Sequence, residues 1–265
     1  MAVMKRWLNL FGGDRRIPNL LVIGTQKGGT STLHECLSGH PEVFMTAVKE
    51  LHHFYNQDHD QDWLRGHFQD AKALQARWRG ESTPYYLFHP QVPARVAREL
   101  PGLRCIALLR DPAERAWSHY KMMRRLGLED AATFEEALEL ESARLAGDEA
   151  KLVADPAHWS GAHMRHSYLA RGFYHPQLCH WLRFVPANNL LVIRSEIFFN
   201  DPVCALESVA AFLGVENRFD PPREAVNTGE PGDLDRGLRA TLDAGFAEDQ
   251  RMLDQLVRSL PHHCW

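Results

Sequence analysis

The chain has 265 residues, 45% of them apolar and 24% charged, so it is long enough to bury a full core and is not biased toward disorder. Lysines and arginines number 30 against 34 aspartates and glutamates, a formal net charge of −4. That balance excludes a global basic field of the kind that draws a protein to nucleic acid or to an anionic membrane face, so any bound anion is caught by a local site.

Residues 19–24, Asn-Leu-Leu-Val-Ile-Gly, are a short apolar run ending in glycine, which predicts a strand buried on both faces of a parallel sheet. A helix follows over 30–38, with Leu33, Cys36 and Leu37 on one face and Gly39 and Pro41 closing it. Residues 43–45 and 78–81 read as further strands, 93–100 as a helix and 103–109 as another buried strand. Pro112 opens a helix that runs to Arg125. Thr133-Phe-Glu-Glu136 has capping-box spacing, ahead of a helix over 134–145. Further on, 176–184 is helical, 189–193 is a last buried strand, and 202–213 is a helix stopped by Gly214. Residues 234–259 make one long helix or a pair broken near Gly245. Strands alternating with helices predict an α/β protein, a P-loop-like three-layer fold with a central parallel sheet flanked by helices. Residues 1–16 are expected to be an N-terminal extension and 17–265 a single domain. Two stretches, 51–75 and 147–174, lack periodicity, and long irregular segments in a compact domain usually serve as lids or binding loops.

Cysteines 36, 105, 179, 204 and 264 are scattered, with no CxxC and no paired spacing with histidine, and read as buried thiols of a reducing compartment. A cytoplasmic location is expected. The apolar run ending at Phe11 is too short for a signal sequence, and no stretch approaches the roughly 18 apolar residues of a membrane span. The histidine-rich stretches match no common zinc spacing, so no metal is expected.

The strongest local signal is Gly24-Thr-Gln-Lys27-Gly28-Gly29-Thr30-Ser31-Thr32, between a buried strand and a helix. Glycines let successive amides converge on one anion, and the helix N-terminus adds partial positive charge. A nucleotide triphosphatase would place the lysine after the last glycine, whereas Lys27 precedes Gly28 and Gly29. Downstream, the strand over 103–109 ends in Arg110, and Ser118 stands eight residues on, about two helical turns away. Arginine offers phosphate a planar fork of donors, and a serine two turns along faces the same side.

The loop TQKGGTSTL resembles the 5′-phosphosulfate loop of sulfotransferases that use 3′-phosphoadenosine 5′-phosphosulfate (PAPS), and LLRDPAERAWSHY resembles their 3′-phosphate motif. Lys49-Glu50-Leu-His-His-Phe54 is similar to the KE-x-x-F segment of the heparan-sulfate type and its bacterial relatives, and Gly80-Glu-Ser-Thr-Pro-Tyr85 to their GEKTPxY segment. Arg171-Gly-Phe-Tyr with Trp181-Leu182 and the region 189–214 are family-like as well. The resemblance implies that Lys27, Gly28, Gly29, Thr30, Ser31 and Thr32 hold the 5′ side of the donor and that Arg110 and Ser118 hold its 3′-phosphate. Asn227, Thr228 and Gly229 would close over the nucleotide. PAPS is then the donor and PAP the product, with no metal required. Two departures stand out: Ser82 replaces the lysine of GEKTP, and no lysine follows Lys151.

By the same resemblance Glu50 is the general base, with His52 and His53 as rivals, while Lys27 suits the bridging oxygen of the leaving group. Lys49, His53, Tyr85, Trp159 and His163 are expected to face the acceptor, a small molecule or glycan offering a hydroxyl or amine. The alternatives are a P-loop nucleotide kinase, against which the order of Lys27 and the glycines argues, and a non-catalytic PAP-binding protein.

Overall fold

The computed structural model describes residues 16–56, 58–155, 157–222 and 233–265. Leu20–Gly24 (β1) is buried at every position, as a strand covered on both faces must be. Thr30–Gly39 (α1) leads to Val43–Met45 (β2), and Gln61–Gly66 (α2) and Ala71–Gln75 (α3) precede Trp78–Ser82 (β3). A 3-10 turn over Pro84–Leu87 and then Val92–Glu99 (α4) lead to Arg104–Leu109 (β4). Pro112–Arg125 (α5), Phe134–Leu145 (α6), Asp148–Ala154 (α7), Gly161–Arg165 (α8) and Tyr174–Leu182 (α9) come before Leu190–Arg194 (β5). Ser195–Asn200 (α10), Pro202–Leu213 (α11) and Arg236–Ser259 (α12) end at a two-residue strand, His263–Cys264 (β6).

The strands form one parallel sheet in the order β2-β3-β1-β4-β5-β6. Alternation along β1 divides the core. Leu21 and Ile23 pack with Val96 of α4, Trp181 of α9 and Leu253 of α12, while Leu20 and Val22 pack with Leu33 of α1 and Val209 of α11. The result is the three-layer α/β arrangement expected from the strand–helix alternation. The chain leaves β1 for β2 and β3 on one side and comes back to β4 on the other. The carboxyl ends of β1 and β4 therefore flank a topological switch point, where open α/β sheets bind ligands.

Some elements differ from expectation. Residues 236–259 form one helix through Gly245, where a Cβ would meet nothing within 4 Å, so this glycine weakens the helix without breaking it. The aperiodic stretches contain short helices whose N-termini are capped by the side chains of Asp60, Asp70 and Ser160. Leu51, Leu64 and Phe68 form a small core of their own with Phe44, so much of 51–75 is packing. All five cysteines are free thiols, but Cys204 is exposed and Cys179 only half-buried.

Candidate active site

After Gly24 the chain turns into α1 through Thr25, Gln26, Lys27, Gly28 and Gly29. The Thr25 amide donates to the Leu108 carbonyl at 2.7 Å and the Gly28 amide to the Thr25 carbonyl at 2.9 Å. Ser195 Oγ donates to the Gly28 carbonyl at 2.7 Å, so the turn is pinned to the ends of β4 and β5. Gly29 has φ +98° and Lys27 φ +71°, the left-handed backbone that folds the loop back on itself. Thr30, Ser31 and Thr32 then form a helical first turn free of acidic residues, which leaves its amides available to an anion.

Lys27 is half-buried, and its pKa is lowered first by that burial and then by Arg125, Arg110 and Lys121. No carboxylate pairs with it among the described residues. Arg110 donates to the Lys27 carbonyl at 3.4 Å and lies 3.4 Å from Glu114. Asp111 caps α5 by accepting from the Glu114 amide at 2.9 Å, and Arg239 of α12 reaches Asp111 at 2.8 Å and Glu114 at 3.2 Å. This clamp fixes the helix that carries Ser118, a half-buried residue. Behind the loop, the buried Arg115 donates to the Tyr168 carbonyl and sits beside His119, whose pKa burial and the neighbouring Arg171 and Arg115 push well down. Lys27, unpaired with any carboxylate among the described residues, and its neighbour Arg110 therefore give the glycine turn positive charge, and their chemistry suits a ligand with more than one phosphate.

Residues 49–55 cross the end of β3, the Glu50 amide donating to the Ser82 carbonyl at 3.0 Å. Glu50 and His52 both have left-handed backbone, φ +66° and +59°. The Glu50 carboxylate accepts from Lys49 Nζ at 3.1 Å and remains 39% exposed, open to a reacting group. His52 Nδ1 is bonded to the Tyr55 hydroxyl, and burial lowers its pKa although Glu50 opposes the shift. Beneath the loop lies Glu81 of β3, wholly buried. Its Oε2 accepts from Thr83 Oγ1 at 2.8 Å, its Oε1 lacks a hydrogen-bond partner among the described residues, and burial pushes its pKa up to about 7. Ser82 is buried too, its Oγ 2.8 Å from His34 Nδ1 on α1.

Tyr85 OH is hydrogen-bonded to His163 Nδ1 at 2.7 Å, and burial followed by Arg171 pushes the His163 pKa down to about 3. Arg171 is itself buried, with its pKa lowered to about 10 by that burial. It donates to the Gln26 side chain and to the carbonyls of His163 and Met164, and it packs over the rings of Tyr85 and Phe88. Next to this cluster opens a groove of about 1320 Å³, lined among others by Phe54, Tyr55, Phe88, Val153, His163 and Phe173. It draws on both aperiodic stretches.

The structure thus gathers Lys27, Gly28, Gly29, Thr30, Ser31, Thr32 and Arg110 at the switch point, and joins Lys49 to Glu50 and Tyr85 to His163. His53 lies elsewhere: it is 1% exposed, 3.3 Å from Glu99 and stacked on Trp63, so it presents no free face to an acceptor. Trp159 is largely exposed beneath the Arg165 guanidinium and does not line the groove. Asn227, Thr228 and Gly229 fall outside the described residues. Sequence reasoning gave no role to Gln26, Glu81 or Arg171; the available signal was an arginine and a glutamate inside otherwise apolar or small-residue segments. Among the described residues no group of three or more His, Cys, Asp or Glu could hold a metal ion, and no helix is long and apolar enough to cross a membrane.

Residues 18–228 match the family described as sulfotransferase domain. Human heparan sulfate glucosamine 3-O-sulfotransferase 3B1 is 32% identical over 208 residues, which cover 77% of this chain and 48% of that protein. Human bifunctional heparan sulfate N-deacetylase/N-sulfotransferase 2 is 27% identical over 209 residues, 76% of this chain and 22% of its own length. The chain therefore spans about half the length of the first of these relatives and less than a quarter of the second. Among solved structures, a sulfotransferase from Alicyclobacillus acidocaldarius superposes with a TM-score of 0.70 at 28% identity, covering 91% of this chain and 96% of that one. The sulfotransferase domain of the curacin biosynthetic pathway, at 16% identity and a TM-score of 0.53, shares the fold.

Proposed function

Because the chain belongs to the PAPS-dependent sulfotransferase family, we propose that it moves the sulfuryl group of PAPS onto a hydroxyl or amine, with Glu50 taking the acceptor's proton. The observation that carries this reading is Lys27, a half-buried cation without a carboxylate partner among the described residues, set among Arg110, Lys121 and Arg125 at the mouth of a glycine turn. Burial and these like charges disfavour the Lys27 ammonium until an anion neutralises it. The amides from Gly28 to Thr32 and the Lys27 ammonium would hold the 5′ side of the donor, and Arg110 with Ser118 its 3′-phosphate. The bound donor supplies an activated sulfuryl group on a phosphate leaving group.

The rest falls to the chain's own side chains. Lys27 would neutralise charge that grows on the leaving oxygen, a compact ammonium being suited to that task. Glu50, held by Lys49, is exposed enough to meet a hydroxyl proton, and a carboxylate so positioned contributes on the order of 10²-fold or more. His52 is a poorer base, since burial lowers its pKa. The five free thiols support a reducing compartment, in keeping with a cytoplasmic enzyme.

Ligands that bind only the folded state raise its melting temperature. PAP is expected to raise it well beyond AMP, which lacks the 3′-phosphate; equal shifts would remove Arg110 and Ser118 from the site, and a larger shift with Mg-ATP would favour a kinase.

A further inference from the structure

The groove walled by Phe54 and Tyr55 is electrically balanced. Its charged lining consists of Arg95, Arg98 and Arg183 against Glu99, Glu141 and Glu149, with no lysine. Arg95 and Arg98 are bonded to Glu99 at 2.8 and 3.1 Å, and the Glu141 carboxylate accepts from the Leu169 and Ala170 amides at 2.7 and 2.8 Å. A polyanion is held by a surplus of cations facing it, and here three arginines are matched in number by three glutamates. Much of the remaining lining is apolar, from Phe88 and Leu138 to Leu169 and Phe173. Val153 and Phe173 are left 58% and 38% exposed along it, apolar surface that an apolar occupant would cover. The volume of about 1320 Å³ leaves ample room for an extended aliphatic chain. Tyr55 ties the groove to the reaction centre: it lines the wall, and its hydroxyl meets His52, two residues from Glu50.

We propose that the acceptor is an uncharged, lipid-like alcohol whose apolar body lies in this groove and whose hydroxyl reaches Glu50 past Tyr55. The assignment presupposes the sulfuryl transfer proposed above. The acceptor oxygen forms the new S–O bond as the S–O bond to the 5′-phosphate breaks, the electron pair of that bond leaves with PAP, and the hydroxyl proton passes to Glu50.

The test uses the full chain, with 1-decanol as probe and a heparosan hexasaccharide as the polyanionic rival. Calorimetry first measures PAP, then decanol on the PAP-saturated protein; mass spectrometry next follows each acceptor incubated with PAPS. Decanol is expected to bind and to be sulfated in preference to the hexasaccharide. Ala94→Arg puts bulk and charge into the groove from α4, and Val153→Glu puts charge at an exposed position where folding is not at risk. Each should weaken decanol binding by ~10-fold or more and leave PAP affinity unchanged. Sulfation of the hexasaccharide in preference to decanol, or wild-type decanol affinity in both variants, overturns the groove assignment alone, whereas PAP binding with neither acceptor sulfated overturns the sulfotransferase reading. Failure of PAP to bind the wild-type protein overturns the sulfotransferase reading, and the groove assignment with it.

Discussion

Replacing Gly28 with alanine tests the loop that the whole reading rests on. The added Cβ would stand 2.7 Å from the Leu108 carbonyl oxygen, 2.9 Å from Thr25 Cγ2 and 3.0 Å from the Thr25 carbonyl oxygen, where ordinary contact begins at 3.4 Å. Two of these three atoms are backbone, and the Thr25 amide is itself bonded to Leu108 at 2.7 Å, so the obstacle cannot swing aside as a flexible side chain would. The turn must shift by several tenths of an ångström. Overpacking of this kind costs about 1–3 kcal/mol, which in a chain of this size lowers the melting temperature by roughly 2–12 °C. Displaced amides also lose hydrogen bonds to a charged ligand, each worth about 1.5–3 kcal/mol, so PAP affinity should fall by roughly 10- to 100-fold. Gly39→Ala is the control: at the last position of α1 a Cβ meets nothing within 4 Å, and alanine should match or exceed wild-type stability without touching PAP binding. Scanning calorimetry and PAP titration read both quantities. A Gly28→Ala protein with wild-type melting temperature and wild-type PAP affinity would refute the cradle geometry.

Lys27→Met removes a cation that burial and its neighbours Arg125, Arg110 and Lys121 already disfavour, so thermal melts should show the ligand-free protein more stable and the gain from PAP much reduced. Glu50→Gln should keep PAP affinity while single-turnover sulfation falls by ~10²-fold or more; full activity in Glu50→Gln with none in His52→Ala would move the base to His52. Arg110→Ala should bring PAP affinity down toward that of AMP, with AMP affinity itself little changed. Burial holds the His34 pKa at about 4, against ~6.5 in the unfolded chain, so its stabilising contribution is whole above pH ~6.5 and lost as pH falls through about 4. That contribution is on the order of 3 kcal/mol, and the drop in melting temperature from pH 7 to pH 4.5 should be smaller in His34→Gln than in wild type.

What could be read from the sequence was whatever local chemistry specifies. β1 announced itself as an unbroken apolar run, α5 by Pro112 behind Asp111, α6 by Thr133 capping Glu136, and α11 by Gly214, which does adopt left-handed φ at +63°. The strand at His263–Cys264 is too short for any period, and its pairing with Val192 and Ile193 is a tertiary fact. The helices within 51–75 and 147–174 span at most seven residues each, less than the window in which a helical pattern emerges, so periodicity could not announce them. The proposed donor side was legible as a candidate because its residues adjoin one another in two short motifs. The acceptor side was not, because Tyr55, Ala94, Leu138 and Phe173 meet only through the packing of α4, α6 and α9. His53 shows the same limit: adjacent to His52 in sequence, it turns to Glu99 while His52 faces Tyr55.

Arg171 spans the two halves of the proposed site, from the side chain of Gln26 in the glycine turn to the carbonyls of Met164 and of His163, which lines the groove. A buried guanidinium held by neutral acceptors has no alternative counterion to retreat to, so neither half can move far without disturbing the other. Two ligands that lean on one strut are thermodynamically linked: whatever factor the donor adds to acceptor affinity, the acceptor returns to the donor. A factor above one would favour the ternary assembly over either binary one and lessen the time during which an activated sulfuryl group faces only water.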